Sequence, residues 1–316
     1  MFEKKSMQPF KLTLSNQAVL TGLQNIPKRS ATTPKYLPLV ICLHGGTYSA
    51  QYFDVDVNHT AAFASNGLEI PVLAINRPGY EDSTSFYPIP EESSYPQEYG
   101  SWLHANILPA LWAKFGEPNG CNCLVLHCHS LGATGAIIAA SKHGKEPQSA
   151  KSYPLAGITI SGYGTQRQEE AHLPVPPPSH IILPPAAKDS MLLQQGRADP
   201  EVYKYTEALN KPMAFEELAS MDTVWFPSWR ELVAGVRSPV MIGIAGDDGI
   251  WEGTKDHLKE FSDAFTGSDR VDGSIVIGAP HNLEMSYWSR GWYARCFGFA
   301  LECAVAFAMS EQPEKH

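Results

Sequence analysis

Short apolar runs rich in β-branched residues alternate with longer segments of helical periodicity along most of the chain. Nearly every position of each run is apolar, which is typical of a strand buried on both faces of a parallel sheet. The runs predicted as strands are residues 37–43, 70–75, 123–128, 155–161, 240–245 and 274–277. The segments predicted as helices are residues 96–115, 131–141, 255–265 and 290–309. This alternation predicts an α/β fold with a mostly parallel, doubly wound sheet.

One segment interrupts the alternation before the penultimate predicted strand. About 75 residues, 163–238, stand where a strand-to-helix connection is normally a few residues long. They begin with a proline cluster and continue with short helical patterns at 200–209, 215–220 and 228–236. We therefore predict a core formed by residues 1–162 and 239–316, interrupted by a helical cap at residues 163–238.

Two tryptophans of this predicted cap are candidate substrate-binding residues. Trp225 and Trp229 are four positions apart in a helical pattern, so they share one face of the helix. We expect that face to lie at the mouth of the site and to favour bulky apolar groups. The alternative is that both rings only pack the cap onto the core.

The composition is that of a globular protein, with 43% hydrophobic and 18% charged residues. The 24 Lys and Arg residues against 33 Asp and Glu residues give a net charge of −9, which argues against a nucleic-acid partner. No run of about 18 apolar residues is present, so we expect no membrane span. The first residues lack the apolar part of a secretion signal, so we expect a cytoplasmic protein with reduced cysteines. The sequence leaves a homodimer open.

The strongest chemical signal lies where the third predicted strand meets the following helix. Residues 129–132 read His-Ser-Leu-Gly, so a buried strand leads directly into Ser130 and a helix of small residues follows. This is the context of a nucleophile elbow, usually Gly-x-Ser-x-Gly, with Cys128 in place of the first glycine. At the helix N-terminus the backbone N–H of Leu131 can donate to a developing oxyanion. The alternative is a serine that only caps the helix.

A serine nucleophile needs a base, and the base needs an orienting acid. His281 follows the last predicted strand, and Asp247 and Asp248 follow the strand before it. Ligand sites of open parallel sheets lie at the carboxyl ends of the strands, where all three residues and Ser130 are expected. We prefer Asp248 as the acid because it lies further into its loop, and Asp247 as a turn residue is the alternative.

A second oxyanion donor is expected in the loop after the first predicted strand. Residues 44–47 read His-Gly-Gly-Thr, and paired glycines allow the backbone to approach a bound carbonyl. Gly46 is the preferred donor and Thr47 is the alternative. His44 is expected to order this loop rather than to transfer protons.

With these pieces the chain resembles the α/β-hydrolase fold from about residue 35 to residue 309. The matching segments are residues 44–46, 76–80, 129–132, 246–248 and 281. Asn76 stands where the family usually has aspartate, in a segment that shapes the floor of the site. The resemblance implies Ser130 as nucleophile, His281 as base and Asp248 as orienting acid. It also implies a cap where the insertion lies.

These observations predict a serine hydrolase that cleaves an ester, thioester or lactone of a small apolar acyl substrate through an acyl-enzyme, with no cofactor. We expect no metal at His127, Cys128 and His129, because strand alternation sends the thiol to the opposite face. One alternative is an acyltransferase, a cyclase or a lyase that uses the same triad. Another is a ligand-binding protein with slow turnover on the same fold.

Overall fold

The computed structural model describes residues 6–169 and 174–311. Its centre is an eight-stranded sheet with the strand order β1-β2-β4-β3-β5-β6-β9-β10. The strands are β1 (Gln8–Thr13), β2 (Val19–Asn25), β3 (Pro38–Leu43), β4 (Val72–Ile75), β5 (Cys123–His129), β6 (Leu155–Ser161), β9 (Val240–Ala245) and β10 (Val271–Val276). A separate two-stranded ladder pairs β7 (His180–Ile181) with β8 (Met213–Ala214). From β4 to β10 all neighbours in the large sheet are parallel.

All six predicted strands are present, and the predicted α/β fold is confirmed. Five of them, β3, β4, β5, β6 and β9, are buried at every position, as their mostly apolar runs indicated. The last strand begins three residues earlier than predicted, at Val271. The antiparallel strands β1 and β2 at the sheet edge were not predicted. Only Phe10 of β1 is buried, so the strand has no apolar run.

Helices flank the sheet and position its loops. They are α1 (Ala62–Leu68), α2 (Tyr95–Trp102), α3 (Leu108–Leu111), α4 (Gly132–Lys145), α5 (Pro185–Leu192), α6 (Thr206–Leu209), α7 (Phe215–Ser220), α8 (Phe226–Ala234), α9 (Lys255–Asp263) and α10 (Ser289–Ser310). Two π-helical segments, Leu103–Ile107 and Trp112–Gly116, extend α2 and α3 into one long helical stretch. The helix predicted at residues 96–115 is this stretch.

The insertion, residues 163–238, leaves the sheet after β6 and returns to it at β9, the penultimate strand. It contains the β7–β8 ladder and the helices α5 to α8. A third π-helical segment, Met221–Trp225, joins α7 to α8. Helix α7 has the predicted limits, whereas the pattern at 200–209 became a short 3-10 turn followed by α6. The described part of the insertion is therefore mainly helical and lies between β6 and the penultimate strand β9.

The C-terminal helix α10 concerns the expectation that no segment spans a membrane. Within the described residues it is one helix that is long and apolar enough to cross a membrane, judged by length and composition alone. One face of α10 is buried, including Trp292, Phe297 and Cys303, and the helix contacts β3, β5 and β6. The buried face of α10 thus packs on the sheet, and 39% of its most apolar 18-residue window is buried.

Candidate active site

Ser130 lies at the sharp turn between β5 and α4. Its backbone has φ +50°, in the left-handed region that a residue with a Cβ rarely adopts. The turn is held by a hydrogen bond from the Ser130 N–H to the Ser161 carbonyl at 2.9 Å. It lies directly against the end of β3, because a Cβ at Gly132 would be 2.4 Å from the carbonyl oxygen of Leu43. Strained backbone held in this way is common at functional sites.

The structure brings the three predicted catalytic side chains into one hydrogen-bonded row. The Nε2 atom of His281 lies 3.0 Å from the Oγ atom of Ser130. Its Nδ1 atom lies 3.0 Å from both carboxylate oxygens of Asp248. His281 and Asp248 are buried, and Ser130 is partly exposed toward a cavity. A hydroxyl, an imidazole and a carboxylate in this order form the geometry by which a serine is activated.

The two adjacent aspartates have different surroundings. The Asp248 carboxylate also accepts hydrogen bonds from the backbone N–H groups of Ile250, at 2.8 Å, and Trp251, at 3.2 Å. These bonds leave the carboxylate facing His281. Asp247 is 40% exposed in its side chain and pairs with Arg197 instead. The geometry therefore favours Asp248, the residue preferred from the sequence, as the partner of His281.

The loop of residues 44–47, called the glycine loop below, lies beside Ser130. A Cβ at Gly45 would be 2.8 Å from the Cβ of Ser130, and one at Gly46 would be 2.4 Å from the Sδ of Met213. The first contact leaves no room for a side chain at Gly45, whereas the contact at Gly46 is only with the flexible end of the Met213 side chain. Gly46 and Leu131, the two candidate oxyanion donors, line the same cavity as Ser130, and so does the alternative donor Thr47.

His44 has contacts that suit a structural role in this loop. Its Nε2 accepts the backbone N–H of Arg77 at 3.2 Å, so its Nδ1 carries the proton and donates to the Gly45 carbonyl at 2.8 Å. Burial, together with the positive charge of Arg77, holds the pKa of His44 well below its usual value. His44 is therefore a neutral imidazole with both nitrogens engaged, as expected for a residue that orders the loop.

The cavity above Ser130 has a volume of about 300 Å³, at the small end of the range for ligand pockets. Its floor contains Ser130 and His281. The insertion contributes a wall of aliphatic and thioether side chains, namely Leu183, Met191, Leu192, Met213, Leu218 and Met221. Two charged residues, Arg167 and Glu169, also line it, and Arg167 pairs with Asp222 at 2.6 Å. The cavity is thus mainly apolar, with flexible methionines that adapt to the shape of a ligand.

Trp225 and Trp229 do not line this cavity, which corrects the expectation from the sequence. Trp225 is fully buried, with its ring centroid 5.8 Å from that of Tyr163, and Trp229 packs on Phe261 at 5.9 Å. The π-helical segment ending at Trp225 places Met221, four residues earlier, on the cavity. Both tryptophans instead face the core, which is the alternative that the sequence left open.

Sequence reasoning did not find a buried polar network centred on Glu284, directly beneath the site. The Glu284 carboxylate is fully buried. It accepts hydrogen bonds from Ser161 Oγ at 2.6 Å, Tyr52 OH at 2.7 Å and Trp292 Nε1 at 2.9 Å. Two of its three donors, Tyr52 and Ser161, lie more than 100 residues away, and no local pattern marks this carboxylate.

The two histidines of β5 that resembled metal ligands belong to this network. His127 Nε2 lies 3.2 Å and His129 Nδ1 lies 3.4 Å from the Glu284 carboxylate. His129 also contacts the side-chain oxygen of Asn282 at 3.1 Å. Burial lowers the pKa of His129 to about 3, so its ring is neutral. His129 precedes Ser130 and Asn282 follows His281, so this contact ties the loops of Ser130 and His281 together. In the described parts of the chain, no group of three or more His, Cys, Asp or Glu residues is arranged to hold a metal ion.

Comparison with known proteins yields one family and many structural neighbours. The model of the alpha/beta hydrolase family matches residues 40–297. Comparison with curated protein sequences finds no match. An N-acyl homoserine lactonase solved with N-hexanoyl homoserine is 14% identical with a TM-score of 0.62, over 98% of this chain and 99% of the other. The thioesterase domain from the curacin biosynthetic pathway is 13% identical with a TM-score of 0.58, over 92% and 99%. The monoacylglycerol lipase of Paleococcus ferrophilus is 13% identical with a TM-score of 0.57, over 94% and 99%.

Proposed function

The chain belongs to the alpha/beta hydrolase family, and we propose that it is a serine hydrolase that cleaves an ester, thioester or lactone of a small apolar acyl substrate. The observation that carries the proposal is the row from Asp248 through His281 to Ser130, with 3.0 Å at each step, ending at an apolar cavity. Structural neighbours named as a lactonase, a thioesterase and a lipase support this substrate class. No cofactor is needed for this chemistry.

The proposed reaction begins with attack of the Ser130 oxygen on the substrate carbonyl carbon, while His281 Nε2 takes the hydroxyl proton. Asp248 stabilises the imidazolium that forms. The N–H groups of Gly46 and Leu131 stabilise the oxyanion of the tetrahedral intermediate. His281 then gives the proton to the leaving oxygen or sulfur, which departs and leaves an acyl group on Ser130. A water molecule, deprotonated by His281, attacks this ester. Collapse of the second intermediate releases the acid, while His281 returns the proton to the Ser130 oxygen.

The apolar wall of the cavity supports the choice of an apolar acyl group. Each methylene moved from water into such a wall contributes about 0.8 kcal/mol. The wall contains Met191, Met213 and Met221 rather than the two tryptophans predicted. We therefore propose that these methionines, with the neighbouring leucines, bind the acyl chain.

The test uses a series of p-nitrophenyl esters of increasing acyl length together with a fluorophosphonate label. Wild type should hydrolyse the esters and become labelled at Ser130, and kcat/KM should rise from acetyl to hexanoyl. Ser130→Ala should lose about 10⁴-fold or more in kcat and should not be labelled, because the triad acts as a unit. Hydrolysis by Ser130→Ala at the wild-type rate would reject the proposal.

The same experiment separates the alternatives. Transfer of the acyl group from Ser130 to an added alcohol in preference to water, seen by mass spectrometry of the products, would favour an acyltransferase or cyclase. Tight binding of the esters with no turnover and no label would favour a ligand-binding protein.

A further inference from the structure

The carbonyl groups of the glycine loop are held by buried cations. The Gly45 carbonyl accepts a hydrogen bond from Arg77 Nη2 at 3.0 Å in addition to the one from His44. A peptide unit is planar and trans, so its C=O and N–H point in opposite directions. Fixing the carbonyl of Gly45 therefore fixes the direction of the N–H of Gly46, the preferred oxyanion donor.

Arg77 is in turn held by the insertion. Its guanidinium is fully buried, and its Nη1 lies 2.6 Å from the Oε1 atom of Glu217 in α7. The rings of Tyr80 and Tyr99 lie against it, with centroids 4.7 Å and 5.2 Å away. Burial disfavours the charge, but Glu217 outweighs this and raises the pKa of Arg77 above its ordinary value. Because the buried guanidinium depends on Glu217, the insertion contributes to the position of Gly45.

A second anchor lies two residues further along the glycine loop. The Thr47 carbonyl accepts hydrogen bonds from Lys188 Nζ at 2.7 Å and from the backbone N–H of Lys211 at 2.9 Å, both in the insertion. Lys188 is fully buried, and its ammonium lies 3.5 Å from the centroid of the Tyr48 ring. Thr47 has φ +60°, so these bonds hold a strained residue in place. The residues on both sides of Gly46 are thus held by groups outside the loop.

We propose that Arg77 and Lys188 are positioning residues for the oxyanion hole, and that the insertion completes this hole through Glu217 and Lys188. The inference rests on the proposed function, since it assumes an oxyanion at Ser130. Neither cation touches the reacting atoms in this arrangement. If they only anchored the insertion, their loss would change stability and substrate binding without a specific effect on the tetrahedral intermediate.

The experiment compares Lys188→Met and Glu217→Gln with two matched controls from the same insertion, Lys204→Met and Glu216→Gln. Lys204 is exposed and pairs with Glu201, and Glu216 is exposed and accepts from Tyr87. For each variant, kcat and KM are measured on the best p-nitrophenyl ester. The inhibition constant is measured for a trifluoromethyl ketone, which forms a tetrahedral adduct with the serine, and for the matching secondary alcohol, which forms none.

We expect kcat of both test variants to fall tenfold or more, toward the roughly 10²- to 10³-fold loss seen when an oxyanion donor is removed. The inhibition constant of the ketone should rise in parallel with the fall in kcat. The KM and the inhibition constant of the alcohol should stay within about threefold, and the control variants should resemble wild type. As a conservative rescue, Arg77→Lys should retain more activity than Arg77→Met, because it keeps a cationic donor. Since Arg77→Met leaves Glu217 buried without a cation and is expected to fold poorly, Lys188→Met and Glu217→Gln decide the outcome.

Two results would overturn the inference. Equal weakening of ketone and alcohol would mean that the variants disturb the whole cavity, and wild-type kcat would mean that the anchors do not position the donor. If Ser130→Ala is inactive in either case, the proposed function stands and only this inference fails. If Ser130→Ala keeps wild-type hydrolysis, the proposed function itself fails.

Discussion

Replacement of Glu284 by glutamine tests whether the buried network beneath the site depends on a carboxylate. The amide oxygen can keep the hydrogen bonds from Ser161 and Trp292, but the NH₂ group then meets Tyr52 OH where the second carboxylate oxygen was. One charge-assisted bond worth about 1.5–3 kcal/mol is lost, and two others weaken to neutral strength by about 1 kcal/mol each. A neutral amide costs less to bury, which offsets part of this loss. We expect the free energy of unfolding to fall by about 2–3 kcal/mol, a large part of the roughly 5–15 kcal/mol typical of proteins.

The assay is urea unfolding followed by tryptophan fluorescence, with Glu201→Gln as the control. Glu201 is 63% exposed and pairs with Lys204 on the surface, so its loss should change the free energy of unfolding by less than about 1 kcal/mol.

Burial raises the pKa of Glu284, but the nearby His129, His127 and Ser161 outweigh it and hold this pKa well below the ordinary value. The advantage of wild type should therefore be full near pH 7 and shrink as pH falls below about 4.3, the pKa of an unfolded glutamate. A Glu284→Gln variant as stable as the control would refute the reasoning.

Three further predictions concern single residues. Asp248→Asn should lower kcat by about 10³- to 10⁴-fold, because an amide favours the wrong tautomer of His281. The kcat of Asp247→Asn should stay within about threefold of wild type in the same steady-state assay. A reversed order would exchange the two assignments. In urea unfolding, the free energy of unfolding of Ser130→Gly should exceed that of Ser130→Ala by about 1 kcal/mol, because only glycine adopts φ +50° without strain. Equal values would mean that the turn is not strained. Burial lowers the pKa of Lys188 to about 7, with Asp189 opposing and Lys211 adding to the shift. The unfolded chain keeps this proton up to about pH 10.4. The free energy of unfolding of wild type relative to Lys188→Met should therefore rise between about pH 7 and 10, by up to about 1.4 kcal/mol per pH unit. A pH-independent difference would contradict the burial of a charge.

The sequence predicts well those features that depend on neighbours along the chain. The central strands are buried on both faces, so their runs are apolar at nearly every position and can be read directly. Ser130, Asp248 and His281 each follow such a run, and parallel strands bring their carboxyl ends to one edge of the sheet. The approximate location of the candidate site follows from strand positions alone.

The features that were missed or wrong depend on packing between distant segments. Helical spacing shows that Trp225 and Trp229 share a face, but the direction of that face depends on where α8 docks and on the π-helical segment before it. Two of the three donors to Glu284, Ser161 and Tyr52, lie far from it in sequence. From the sequence alone, an acidic residue three positions after His281 is therefore indistinguishable from a surface residue.

The insertion provides the cavity wall and also two of the buried charges that hold the glycine loop. Exchange of this segment between relatives would replace the wall and leave the triad, which lies outside it, unchanged. In this chain, however, a replacement insertion that lacks counterparts of Glu217 and Lys188 would leave Arg77 buried without a carboxylate partner. It would also leave the Thr47 carbonyl without its ammonium partner. On the proposed positioning role of Glu217 and Lys188, a chimaera would then gain the new wall and lose turnover. On the same proposal, exchange of the insertion works only with segments that keep both contacts, so selectivity and activity change together.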